Sequence, residues 1–219
     1  MNTVVVRRRI APLALVRSIL LLLGTLSLLA STVVAQEEEP VGGHVIVLPT
    51  SGVVDQVMSE YLRSGIDRAV SEGAAAVVIE LDTPGGSLEA TRAIVQTELS
   101  AEVPVMVWVG PAGARAASAG TFLTLAAHVA SMAPATNIGA ATPVSGDGQD
   151  IPEDLGQKIM NDTIATITSI AEERDRPVEW AVSTVTDALS FTVDEALEAG
   201  AIDFKAESIE DLLAQAEGM

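Results

Sequence analysis

The sequence predicts an α/β fold of repeated βαβ units with a mostly parallel sheet and flanking helices. Three observations lead there. Short apolar runs rich in β-branched residues recur at 44–48, 75–81 and 104–109, each with the length and uniformity of a buried strand. Segments with apolar residues at helical spacing lie between and after them. Gly- and Pro-containing turns fall where strand gives way to helix.

Taken in order, the chain opens with Arg7, Arg8, Arg9 and Arg17 ahead of an uncharged run, 18–35, that ends Val33-Val34-Ala35. Basic, apolar and small-residue parts in that order read as a secretory signal peptide over 1–35, cleaved after Ala35. An uncleaved anchor is the alternative, because the run borders on spanning length. Either way the basic flank stays inside, so the remainder is exported, to the extracytoplasmic face of the membrane or beyond it. Residues 36–43 (QEEEPVGG) form a polar linker, and 44–219 read as one domain. All thirty Asp and Glu but only eight of the twelve Lys and Arg lie beyond Ala35, a net charge there near −22. A surface that acidic argues against nucleic acid or anionic lipid as a partner. The chain has no Cys, which excludes disulfides, thiolate metal sites and a cysteine nucleophile.

The first strand, 44–48, leads to a helix over 53–72 with Val54, Val57, Met58, Tyr61, Leu62, Ile66, Ala69 and Val70 on one face. The strand 75–81 (AAVVIEL) runs into 82–87 (DTPGGS), which opens a helix near Leu88. Pro84 cannot donate to a ladder, and Gly85-Gly86 admit backbone shapes closed to other residues. Such a turn can aim a main-chain N–H into a cleft, where it would stabilise a developing oxyanion. A third strand, 104–109 (PVMVWV), is followed by 112–122 (AGARAASAGTF) and an apolar helical stretch, 121–130. Ser118 therefore sits where strand gives way to helix, among Ala and Gly. Helix N-capping is the ordinary use of such a serine; a nucleophile beside unpaired helix N–H groups is the other. Residues 129–132 suit a short strand, and 135–152, rich in Gly, Asp and Pro, a loop lining the site. A helix over 153–174 follows, with Ile159, Ile164, Ile167 and Ile170 facing inward, and then a charged break at 172–177. Trp108, Trp180, Leu189 and Phe191 read as core, and 208–217 as a short acidic helix.

Few residues could activate a serine. His128 lies ten residues beyond Ser118 on one apparent helix, roughly 15 Å away by helical rise. His44 begins the first strand, and Lys205 sits in an acidic terminal segment. Lys158 remains, at the start of a long helix forty residues after Ser118. A lysine, with an ordinary pKa of about 10.4, serves as a base only where burial favours its neutral form. Ile159 and Met160 beside Lys158, with the apolar helix after Ser118 opposite, are expected to supply that burial.

With Ser118, the Pro84-Gly85-Gly86 turn and Lys158 in view, the chain resembles the ClpP/crotonase-fold serine peptidases. It is most similar to the membrane-associated NfeD peptidase domain, a relative of signal peptide peptidase A. The resemblance rests on 82–87, 116–122, 136–143 (TNIGAATP), 158–162 (KIMND) and 190–203, the last with Thr192, Glu195-Ala196-Leu197 and Ala201-Ile202-Asp203. It covers almost everything from His44 onward. It implies a Ser–Lys dyad with Ser118 as nucleophile and Lys158 as base, and an oxyanion hole from the N–H groups of Gly86 and Ala119, with Gly85 in the same turn. It implies no cofactor and no metal. The implied activity is endopeptidase cleavage of apolar segments in membrane or exported proteins, by a homodimer or larger homo-oligomer linked to stomatin/prohibitin-like membrane proteins. Ala135 stands where the family pattern has Gly, and Thr142 where His is common; both departures bear on substrate preference. Two other readings stay open: a non-catalytic scaffold of the same fold that binds stomatin/prohibitin-like proteins, and a crotonase acting on acyl-CoA thioesters, which export would separate from CoA. The resemblance would also place membrane helices and a small β-barrel domain after this point, so the chain reads as a truncated relative or a fragment.

Overall fold

The computed structural model describes residues 43–145 and 152–217; the expected signal segment, 1–35, and nearly all of the linker, 36–43, lie outside them. The element order is β1 (Val45–Ser51), α1 (Gln56–Glu72), β2 (Ala76–Asp82), α2 (Leu88–Leu99), β3 (Val105–Val109), β4 (Arg115–Ala117), α3 (Ala119–Ala126), β5 (Val129–Met132), β6 (Asn137–Gly139), α4 (Glu153–Glu173), α5 (Val178–Thr186), β7 (Ser190–Thr192), α6 (Val193–Glu198), β8 (Phe204–Lys205) and α7 (Ile209–Ala216). The repeated strand–helix units expected from the sequence are there. Strands β1-β2-β3-β5-β8 form one sheet in that order, parallel throughout. A second, three-stranded sheet runs β4-β6-β7, with β4 parallel to β6 and β7 antiparallel to it.

Central position explains why β2 carries no polar alternation. It pairs on both sides, and five of its seven residues are buried. Val77, Ile79, Leu81, Val105, Val107 and Val109 face one layer, packed against residues of α1, α2, α3 and α4. Val78, Trp108 and Val129 face the other, where Ala206 and Leu212 cover them. The indole N–H of Trp108 donates to the Ala206 carbonyl at 3.0 Å, which satisfies its one polar atom.

Helix α1 starts where Asp55 accepts from Met58 N–H at 2.9 Å and ends at Gly73, whose φ of 65° is the left-handed C-cap. Its buried stripe is narrower than the apolar spacing suggests. Met58, Leu62, Ile66 and Ala69 face the sheet, whereas Val57 and Tyr61 are 76% and 41% exposed and Val70 is also exposed. One row of side chains meets the sheet, and the flanking apolar positions fall outside it. Leu189 likewise departs from its expected core position, at 43% exposed. Trp180 and Phe191 are half-buried and pack on each other with ring centroids 4.7 Å apart. The expected loop at 135–152 contains a strand, β6, whose three residues are too few to show a period. Ile167 and Ile170 are buried on α4 as expected, but Ile159 and Ile164 are only half-buried.

Candidate active site

Three segments meet beyond the carboxyl ends of β1 and β2 in the parallel sheet and of β4 in the second sheet, the end at which α/β folds place ligands. The segment after β1 reaches Val54, the one after β2 carries 82–87, and β4 delivers Ser118. Val54 N–H donates to Gly85 O at 2.9 Å and Ser87 N–H donates to Val54 O at 2.8 Å, pinning the Gly-Gly turn from one side. Thr83 N–H donates to Arg115 O at 2.8 Å and Ala117 N–H donates to Thr83 O at 3.1 Å, pinning it to β4 from the other. Both glycines are needed sterically. Gly85 has φ of 107°, and a Cβ there would lie 2.6 Å from the Ser118 Cβ. A Cβ on Gly86 would overlap the Val54 carbonyl.

Ser118 occupies the N-cap position of α3 but does not act as a cap. Its φ and ψ are 52° and −110°, and its hydroxyl makes no capping bond. The ordinary reading of this serine, as an N-cap, therefore fails. Such a backbone costs a non-glycine residue on the order of 1–3 kcal/mol. The strain is held by Ser118 N–H donating to Gly139 O at 3.0 Å and Thr121 N–H donating to Ser118 O at 3.0 Å. Among the described residues the Ser118 hydroxyl has no hydrogen-bond partner, and the side chain is half-buried. It lines a cavity of about 50 Å³ together with Gly86, Ala119, Leu88, Phe122, Pro143 and Val144.

The three expected oxyanion donors divide. Ala119 N–H, at the first helical position, and Gly86 N–H both border this cavity and have no acceptor among the described residues. Gly85 does not join them, because its N–H donates to Thr83 Oγ1 at 3.0 Å. That is a correction: Gly85 serves the turn by its shape and its amide is already satisfied. Thr83 is a site residue that sequence reading missed. Its position beside Pro84-Gly85-Gly86 was in view, but its contacts to β4 and α3 are tertiary and leave no mark in the sequence.

Among the candidate bases, both histidines lie at the opposite, amino-terminal edge of the sheet. His44 precedes β1 and stands 3.7 Å from Glu72. His128 precedes β5 and accepts Val105 N–H on Nδ1 at 3.1 Å. Burial, and then the nearby Arg174, hold its imidazole below the ordinary histidine range. Strand β3, five residues and roughly 16 Å long, separates that edge from Ser118. Lys205 pairs with Asp194 at 2.7 Å.

Lys158 lies in the second turn of α4. Asp162, one turn further on, pairs with Arg92 of α2, and Arg174, just past the end of α4, donates to Glu98 O at the far end of α2 at 3.5 Å. The two helices therefore run side by side in one direction, and Thr163 and Thr166 of α4 meet Leu88, Thr91 and Arg92 of α2. The middle of α4 thus stands beside the end of α2 that borders the Ser118 cavity, and its first turns, with Lys158, extend beyond that end. The expected burial of Lys158 is not observed: it is exposed and has no hydrogen-bond or ion-pair partner among the described residues. The buried residues of α4 begin at Thr163, so its first turns project past the core. Among the described residues no group of His, Asp and Glu is arranged to hold a metal.

Comparison with known proteins converges on one family. The family described as NfeD1b, N-terminal domain, matches residues 44–218. The membrane-bound protease PH1510 of Pyrococcus horikoshii is 39% identical over 205 residues, 93% of this chain and 45% of that protein. Membrane protein NfeD1b of Bacillus subtilis is 26% identical over 210 residues, 90% of this chain and 46% of that one. The chain thus spans about half the length of these curated relatives. The 1510-N membrane-bound stomatin-specific protease, solved as a Ser→Ala variant, superposes with a TM-score of 0.76 at 38% identity, covering 81% of this chain and 86% of that one. A Lys→Ala variant of it, in complex with a substrate peptide, matches with the same score and identity over 82% of each chain. ClpP1 from Listeria monocytogenes shares the fold, with a TM-score of 0.61 at 20% identity over 76% of this chain and 94% of that one. With a ClpP-like fold and a family match over nearly all of its described residues, the chain belongs to the NfeD1b N-terminal domain family.

Proposed function

We propose that this chain is the peptidase part of an exported, membrane-associated serine endopeptidase that works through Ser118 and Lys158. The observation that carries the proposal is Ser118 itself: a serine in a strained backbone whose hydroxyl has no partner among the described residues, sharing a cavity with Gly86 and Ala119, whose N–H groups have no acceptor among the described residues. A half-buried serine with no other task would relax into a capping geometry.

In the proposed reaction a bound apolar substrate covers Lys158, and the neutral amine that this burial favours takes the proton from Ser118 Oγ as Oγ bonds to the scissile carbonyl carbon. Gly86 and Ala119 N–H groups donate to the oxyanion of that tetrahedral adduct. Its collapse breaks the C–N bond, and the leaving amine takes the proton from Lys158. Water then attacks the acyl-serine by the reverse proton route, releasing the acid and restoring the hydroxyl. Solved relatives with a serine replaced, or with a lysine replaced and a substrate peptide bound, support this pairing of residue types.

Apolar substrates fit the lining. Leu88, Phe122, Ala141, Pro143 and Val144 surround Ser118, and an apolar groove continues along Val95 between α2 and α4. The relative's stomatin specificity makes stomatin/prohibitin-like membrane proteins the proposed partners. Cleavage of the leader after Ala35 and assembly into a homodimer or larger homo-oligomer belong to the same proposal.

A second reading, a non-catalytic scaffold for such proteins, is favoured by one observation: Lys158 is exposed and has no partner among the described residues. Cleavage of apolar peptides by the full chain separates the two. Ser118→Ala and Lys158→Ala should each abolish cleavage, and the double variant should be hardly worse than either, since the pair acts as a unit. Normal cleavage by Lys158→Ala together with loss in His44→Ala or His128→Ala would reassign the base. A wild type that cleaves nothing leaves the scaffold reading.

A further inference from the structure

Thr83 is completely buried at the seam between the two halves of the site, and its polar groups are committed across it. Its backbone bridges in parallel to Ala116, through bonds to Arg115 O and from Ala117 N–H, so the residue before Ser118 hangs directly on Thr83. Its methyl fills the space that a Cβ on Gly120, in the first turn of α3, would need, with 2.7 Å between them. Its hydroxyl oxygen accepts Gly85 N–H at 3.0 Å and lies a marginal 3.5 Å from Gly85 O.

Packing alone does not require a threonine here, because valine has the same shape. The hydroxyl adds the bond to Gly85 N–H, and that bond fixes the Pro84–Gly85 peptide plane. On the other side, Val54 holds Gly85 O and Ser87 N–H. The Gly86 N–H, which has no acceptor among the described residues, shares its peptide plane with Gly85 O, so its aim is set by the Val54 bond to that carbonyl together with the Pro84–Gly85 peptide fixed before it and the Gly86–Ser87 peptide fixed after it. Glycines confer no stiffness of their own, so an oxyanion donor carried on Gly85-Gly86 needs such an outside anchor.

We infer that Thr83 is a positioning residue for this turn: by accepting Gly85 N–H, its hydroxyl holds Gly86 N–H in register with Ser118. The inference rests on the peptidase reading above. Its test is steady-state cleavage of an apolar peptide by the full chain carrying Thr83→Val, Thr83→Ser or Thr83→Ala, beside the wild type. Deleting an oxyanion donor outright costs about 10²–10³ in kcat; misaiming one should cost less, about 10–100-fold in Thr83→Val, with KM nearly unchanged. Thr83→Ser should recover kcat to within about threefold of wild type, on the same scale. Hydrogen exchange at the Gly85 amide should accelerate in Thr83→Val and Thr83→Ala but not in Thr83→Ser. Comparing Ser with Ala repeats the test with the methyl absent from both, and it decides the matter should Thr83→Val fail to fold. The inference is overturned if Thr83→Val or Thr83→Ala turns over as fast as wild type or Thr83→Ser respectively, or if Thr83→Ser loses as much as Thr83→Ala. Those failures leave an active wild type behind, whereas an inactive wild type removes the peptidase reading and this inference together.

Discussion

Replacing Glu98 with methionine should make the protein more stable, and by an amount that depends on pH. Glu98 is 0% exposed on the inner face of α2, and neither carboxylate oxygen has a hydrogen-bond partner among the described residues. Burial pushes its carboxyl well above the ordinary range; the guanidinium of Arg174 pulls the other way and does not prevail. Because the folded state holds this proton more tightly than the unfolded chain, the folded protein is favoured most below the unfolded value, about pH 4.3. That advantage is lost as pH rises from there toward the raised folded value. Methionine keeps the length and removes both unsatisfied oxygens, each such buried group being worth about 1–3 kcal/mol. Arg174 keeps its main anchors, the carbonyls of Ala126 at 2.8 Å and Glu98 at 3.5 Å, which the substitution leaves in place. A gain of about 1–3 kcal/mol at pH 7 corresponds to a Tm higher by about 2–12 °C for a domain of this size. Thermal unfolding by circular dichroism of both proteins from pH 4 to pH 8 is the assay, with the gap between them widening as pH rises. A Glu98→Met protein less stable than wild type at pH 7, or a gap that shrinks with rising pH, would refute the reasoning.

Gly86→Ala should be inactive against apolar peptides, because its Cβ would meet the Val54 carbonyl and displace the turn; turnover at the wild-type rate would contradict that geometry. Ala135 sits at φ of 60°, in the left-handed region, so Ala135→Gly should be neutral or raise stability by up to about 1 kcal/mol. A loss above that amount in denaturant titration would show that the methyl packs usefully.

The same position shows what kind of information a sequence carries. Ala135 stands out in the family pattern because the turn it occupies has a backbone that favours glycine, a local fact that local spacing records. The strand–helix alternation, the caps at Asp55 and Gly73, and the Pro84-Gly85-Gly86 turn are legible for the same reason. Serine at the β4–α3 junction was legible as a choice between two uses, and only the backbone at Ser118 decided against capping. What escaped the sequence is long-range. Arg176 looked like part of a charged break at the end of α4, yet it is buried and makes a two-pronged pair with Asp203 at 2.9 and 2.7 Å. Asp203 in turn accepts Ala130 N–H at 2.8 Å, tying β5 to the segment before β8. Neither charge hints at the other across 27 residues. The second sheet was invisible because its strands have three residues each, too few for a period of two. Thr83 and Lys158 mark the limits of such reading: one makes contacts that no spacing predicts, and the other lacks the burial its apolar neighbours suggest.

Whether Ser118 is a nucleophile activated by Lys158 is tested by covalent labelling of the full chain with a fluorophosphonate, with the adduct mapped by peptide mass spectrometry in the wild type and in Lys158→Arg. An alkoxide-forming serine reacts, and a guanidinium cannot take its proton in any accessible pH range. One adduct is expected, on Ser118, forming faster as pH rises and lost in Lys158→Arg. An unlabelled wild type, or equal labelling of Ser118 with arginine at 158, would contradict that assignment.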